Sequence, residues 1–173
     1  FQRETEANRY LVGRCRTGRE AAAGLEAGKT AAFLSVEGAD LLNCDLDRLE
    51  EAWRLGVRAV NLTWNHANPL SGSSAEEPER GLSARGRAFV RRMEELGMLV
   101  DVSHLSDRGF WDVADCTERP FFASHSNSRT VFFHPRNLTD RQFTAIIERN
   151  GVAGINLYAN FLGENPDVDT VVA

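Results

Sequence analysis

The chain is poor in lysine, cysteine and histidine and has no long apolar run, and each shortage removes a class of function. Of the 20 basic residues only Lys29 is a lysine; the rest are arginines, a bias of composition that points to no activity. Acidic residues outnumber them, 25 to 20, for a formal net charge of −5. With no basic cluster to offset that charge, a nucleic-acid surface or an anionic-membrane surface is excluded. Three cysteines, Cys15, Cys44 and Cys116, lie far apart and are odd in number. They form no CxxC pair, so a disulfide framework and a thiolate zinc knuckle are both excluded, and free thiols are expected. No apolar stretch reaches the ~20 residues of a membrane span and no signal-peptide pattern opens the chain. The expected location is therefore the cytoplasm. The first residue is Phe1 rather than Met, so further residues are expected upstream. The two Asn-Leu-Thr sequons, at Asn61 and Asn137, carry no meaning by themselves.

What the chain does have is alternation. Residues 1–28 read as one helix stopped by Gly28, and 30–40 as a buried strand ending in Glu37-Gly38. A helix follows over 45–56 and a strand over 57–66, then a polar loop over 67–82 rich in Ser, Gly and Pro. Helices are expected over 83–97, 106–116 and 139–151, with strands over 98–104, 120–126 and 152–158. Strands that are nearly continuous in apolar residues and separated by helices imply a parallel sheet covered by helices.

A doubly wound sheet and a (β/α)8 barrel both fit that alternation. The first lacks a GxGxxG turn after any strand. The second predicts functional side chains at the C-terminal strand ends, and four strands end at Glu37, His66, His104 and His125. The reading is an α/β fold, a (β/α)8 TIM barrel. A full barrel takes about 250 residues, so residues 1–173 are expected to form a single domain of about five βα units, the central part of a barrel without its first strands and its last.

Two strands end on the same polar pair, in LVDVSHLS (99–106) and FFASHSNS (121–128). Neighbouring strands lie about 5 Å apart, so His104 and His125 can reach one ion. A carboxylate and two imidazoles suit zinc, which keeps an open position at catalytic sites. Glu37 suits a carboxylate spanning two ions. Arg136, in the loop leaving the His125 strand, is a candidate grip for a substrate carboxylate through its bidentate fork. His134, in the same HPRN stretch, reads as a surface histidine. Trp53 and Trp111 read as packing against the sheet, Trp64 as core or pocket wall, and the Arg91/Arg92 and Glu94/Glu95 run as a solvated helix face.

The segments SVEGAD, GVRAVNLTWNHANP, GLSARGRAFVRRMEELGMLVDVSHLS, FFASHSNSR and HPRNLTD together resemble the membrane (renal) dipeptidase family, the M19 metallopeptidases. The resemblance runs from about residue 28 to 162 and implies a (β/α)8 barrel with a dinuclear zinc centre. It implies that Glu37 bridges the two zincs and that His104 and His125 complete the second. It further implies that His66 contacts the scissile group and steadies the tetrahedral intermediate, and that Arg136 receives the substrate's terminal carboxylate. Tyr158 and Phe161 would wall the pocket. The family's His-x-Asp pair and its late-strand Asp have no counterpart here. The implied activity is hydrolysis of dipeptides by a bacterial, unanchored member, with the 173 residues inactive in isolation. Two alternatives stay open: another dinuclear amidohydrolase acting on an N-acyl or cyclic amide, and a metal-free homologue kept for binding. The expected partner is a small dipeptide, with a homodimer as the expected assembly.

Overall fold

The computed structural model describes residues 1–172. β1 (Val12–Arg14) pairs with β2 (Thr30–Ala32), while β3 (Leu34–Val36), β4 (Val57–Asn61) and β5 (Leu99–Asp101) form a second ladder, and every pairing is parallel. Beyond β5 the sheet continues through single parallel bridges, Asp101 to Phe122 and Ala123 to Ala153. Order across the sheet is thus order along the chain. A doubly wound sheet reverses its strand order at a switch point; the described strands do not reverse, which is how a barrel curls.

Helices α1 (Gln2–Ala7), α2 (Gly18–Glu26), α3 (Leu46–Leu55), α4 (Ala84–Glu95), α5 (Asp107–Cys116), α6 (Asp140–Glu148) and α7 (Val168–Val172) fill the connections. Their starts follow the sequence closely. The side chains of Thr17, Asp45, Ser83, Ser106 and Thr139 each accept a hydrogen bond from an amide of the following first turn. Thr139 and Gln142 form a reciprocal capping box. Gly56 ends α3 at φ 107°, where a side chain would be strained.

α4 buries Phe89, Val90 and Met93, and α5 buries Phe110 and Val113. They pack with Leu49, Val60, Val100, Val102, Phe121 and Ile146 in one apolar cluster between helices and sheet. Each such side chain contributes roughly 1.5–3 kcal/mol when fully buried. Trp53 and Trp111 pack against the edge of this cluster as expected, whereas Trp64 is half exposed. The other face of the sheet is different. Phe33, Leu99, Phe122 and Val152 line a shallow apolar concavity there, and Phe33, Leu99 and Val152 are exposed.

The sequence reading needs correction in four places. The strand expected over 57–66 stops at Asn61, which leaves His66 on the loop after β4 rather than at a strand end. Residues 1–28 are not one helix: β1 interrupts them, with Thr30 N donating to Leu11 O at 2.8 Å and Cys15 N to Ala32 O at 2.8 Å. Val12 and Gly13 are weak helix formers, and pairing with β2 overrides the helical periodicity around them. The 30–40 run is two short strands either side of Phe33, followed by a 3-10 turn over Ala39–Leu42. The 120–126 and 152–158 runs form bridges rather than ladders, tied by Ala123 N to Val152 O at 3.0 Å and Gly154 N to Ala123 O at 2.8 Å. Val152 has no strand on its other side among the described residues, which limits pairing to these bonds. The cysteines are free, as expected. Both sequon asparagines, Asn61 and Asn137, are buried.

Candidate metal centre

β3 delivers Glu37 to the rim, and Gly38 turns the chain there at φ 91°. A Cβ on Gly38 would lie 3.3 Å from Trp64 Cβ, in a conformation that L side chains rarely adopt. β5 leads two residues later to Ser103-His104, and the bridge segment at Phe122 leads to Ser124-His125. His104 sits at φ 74°, an uncommon setting for a non-glycine residue that costs of order 1–3 kcal/mol. Ser74 N, donating to His104 O at 2.8 Å, helps hold it.

The result is a triangle of donor atoms. His104 Nε2 lies 2.8 Å from His125 Nε2 and 3.0 Å from Glu37 Oε1, and His125 Nε2 lies 3.2 Å from the same oxygen. Glu37, His104 and His125 are the group of potential ligands that converges within 4.8 Å among the described residues. Ligand atoms ~2.05 Å from a tetrahedral zinc stand about 3.3 Å apart, close to these edges. The donor set and spacing therefore fit a zinc-like cation. His125 Nδ1 lies 2.6 Å from Ser124 Oγ. When Nδ1–H donates there, the Nε2 lone pair is left for a cation.

Electrostatics favour neutral imidazole at His104. Burial, followed by the charges of Arg136 and His125, pushes its pKa down to about 3. Arg136 is itself buried, 7% exposed, and its Nη2 donates to His125 O at 3.3 Å while its Nε has no partner. Burial brings its pKa down to about 10, opposed by the charges of Asp101 and Glu37. Its guanidinium lies 5.5 Å from the centre of the Phe161 ring. Arg136 is thus a buried cation with an idle donor beside the triangle of potential ligands.

The membrane dipeptidase model, peptidase family M19, matches residues 2–173. The chain belongs to this family. An uncharacterized dipeptidase of Schizosaccharomyces pombe is 37% identical over 139 residues, which cover 78% of this chain and 33% of that one. A metallo peptidase from Rhodobacter sphaeroides, solved with a phosphinate mimic of the dipeptide L-Ala-D-Ala, superposes with a TM-score of 0.89 at 31% identity. That match covers 96% of this chain and 51% of the other. An amidohydrolase from Pseudomonas aeruginosa matches with a TM-score of 0.85 at 26% identity, over 93% of this chain and 49% of its own. The chain thus spans no more than about half the length of these relatives.

As an M19 chain, it brings together Glu37, His104, His125 and Arg136, but not every residue singled out in the sequence. His66 stands outside the triangle with its side chain 82% exposed, its Nδ1 3.4 Å from Glu76 Oε2. Tyr158 is exposed, edge-on to Phe161 with ring centres 5.0 Å apart, and its hydroxyl accepts from Asn160 Nδ2 at 3.2 Å. His134 is not a surface histidine. It is half-buried, its ring 4.5 Å from that of Phe161, and its Nδ1 accepts from Arg136 N at 3.1 Å. Burial, with the charges of Arg136 and Arg129, lowers its pKa. The residue that sequence reasoning missed is Asp101, 1% exposed, at the end of β5. Its signal was available: an acid inside the otherwise apolar run LVDV.

Proposed function

We propose that this chain carries the second zinc site, the bridge and the substrate grip of a dinuclear zinc dipeptidase. The observation that carries the reading is the donor triangle of Glu37, His104 and His125 set against the buried, under-partnered Arg136. Two zinc ions, when bound, would supply Lewis acidity to a peptide carbonyl and lower the pKa of water toward ~7. His104 and His125 would hold one ion through Nε2. Glu37, half-exposed, would offer Oε1 to that ion and its other oxygen to the second.

Arg136 would take the substrate's terminal carboxylate through its free Nε and its Nη atoms, fixing how far the scissile bond lies from the chain end. That fixed distance selects dipeptides. Tyr158 and Phe161 would wall the pocket beside it. His66, carried on the solvated loop after β4, would donate to the oxyanion as it develops. The exposed concavity of Phe33, Leu99 and Val152 is where further βα units would close the barrel, and the activity proposed is that of the closed barrel.

Elemental analysis of the full-length polypeptide, wild type and His104→Ala, tests the metal. About two zincs per chain in the wild type, falling in the variant, is the expected result. A folded wild type that takes up no metal after zinc reconstitution would leave a barrel kept for binding. Hydrolysis of a dipeptide with its carboxylate free and then esterified tests the grip. Loss of turnover on esterification is expected; unchanged turnover would instead favour an amidohydrolase acting on an N-acyl or cyclic amide.

A further inference from the structure

Both metal-binding histidines follow a serine, and the two serines meet at one atom. Ser103 N and Ser124 N each donate to Asp101 Oδ1, both at 3.0 Å. The two Ser-His segments are therefore pinned to a single carboxylate oxygen on β5. A second cross-tie lies beside it: His125 N donates to Ser103 Oγ at 3.1 Å, and that hydroxyl is 3.3 Å from Ser126 Oγ. Asn61 Nδ2, from the end of β4, donates to Ser103 O at 3.2 Å and fixes the same residue from the other side. Asp101, Ser103 and Ser126 are all almost fully buried. Water competes little for these bonds, and a carboxylate acceptor makes them stronger than neutral ones.

We propose that Asp101 is the positioning residue of the metal centre, setting the separation of His104 and His125 by holding the amide that precedes each ring. This rests on the metal-centre reading of the triangle. Asp101 does not belong to the triangle; it acts through the backbone of the residues that do. Two imidazole nitrogens 2.8 Å apart are held against the tendency of two loop ends to drift, and a single shared acceptor couples their positions. Without it each histidine keeps its own strand but loses its register with the other. Positioning partners of this kind change metal affinity by about 10–100-fold.

The test is metal affinity, with zinc against a chromophoric chelator and with cobalt(II) as a visible-absorption reporter of ligand geometry. Wild type, Asp101→Ala, Asp101→Asn and Ser103→Ala are compared. Asp112→Asn serves as the control, because Asp112 is a buried carboxylate that accepts from Leu82 N at 2.8 Å, away from the triangle. The expected result is a 10–100-fold weaker zinc affinity and an altered cobalt spectrum in Asp101→Ala. Asn, which keeps one acceptor oxygen, should recover part of the affinity. Ser103→Ala should shift the same two readouts, and Asp112→Asn only the melting temperature. Should Asp101→Ala fail to fold, Asp101→Val, which fills the space but offers no acceptor to either amide, decides the matter. Wild-type affinity and spectrum in the folded variant that lacks the acceptor would overturn the positioning role while leaving the metal centre intact. A wild type that binds neither metal would overturn both.

Discussion

Two regions of the rim carry histidines, and they are built differently. His104 and His125 leave the sheet within a few residues of β5 and of the Phe122 bridge, and their segments are tied to Asp101, Ser103 and each other. His66 comes five residues after the end of β4, on a loop, with its side chain 82% exposed and one contact to Glu76. A strand end is a rigid anchor only for the first two or three residues past the ladder. Further out, position depends on what the loop itself packs against. Under the function proposed, the first region would hold groups that must meet an ion within tenths of an ångström, and the second a group free to move toward substrate.

The largest expected effect that would break this contrast is on metal binding. His125→Ala should weaken zinc binding by more than ~100-fold, beyond the range of a positioning residue, whereas His66→Ala should leave zinc content unchanged. Chelator competition on both variants checks it, and equal losses would erase the distinction. Next comes the packing beneath the rigid region. Phe110 is 1% exposed and packs edge-on to Phe121, with ring centres 5.7 Å apart. Phe110→Ala should cost about 3–5 kcal/mol in denaturant unfolding. A cost under ~1 kcal/mol would mean that the histidine segments do not lean on this core.

A smaller effect concerns the helix that follows the second segment. Thr139→Ala removes the hydroxyl that caps α6 and should cost about 1 kcal/mol, measured the same way. A salt bridge braces the two segments from outside: Arg129 Nη1 and Nη2 meet Asp107 Oδ2 and Oδ1 at 2.7 and 2.8 Å. Burial opposes ionisation of Asp107, but the Arg129 fork and the Gln142 bond outweigh it, so its pKa is lowered on folding. A depressed carboxylate stabilises the fold above its unfolded pKa of about 3.9 and loses that contribution as pH falls through the lower, folded value. Asp107→Asn should therefore be less stable at neutral pH and show a shallower loss below about pH 4. The smallest effect is at the solvated loop, where His66→Ala should move stability by no more than ~0.5 kcal/mol.

Much of this was legible in the chain. The helices expected over 45–56, 83–97 and 139–151 end where Gly56 stops α3 and begin where Ser83 and Thr139 cap α4 and α6, because capping is local chemistry, satisfied within four residues. The strand-end rule brought Glu37, His104 and His125 to one rim because a parallel βα alternation sends every C-terminal strand end there, but it misplaced His66, which lies on the loop after β4. The N-terminal segment misled because its apolar spacing suits a helix, while the edge of β2 offered Leu11 to Cys15 a ladder. His134 misled because a loop histidine looks solvated until the partner across the loop, Phe161, is known.

By itself, then, the sequence determined the alternation, the parallel sheet, the helix boundaries in the central units and the identity of the three metal-ligand candidates, all of which follow from periodicity and short-range hydrogen bonding. Only the tertiary structure decided that His104 and His125 stand 2.8 Å apart, that Asp101 joins their backbones, that Arg136 is buried with an idle donor and that His66 lies in solvent. Those are distances between residues far apart in the chain. They are set by how strands curl and loops pack, and no local pattern encodes them.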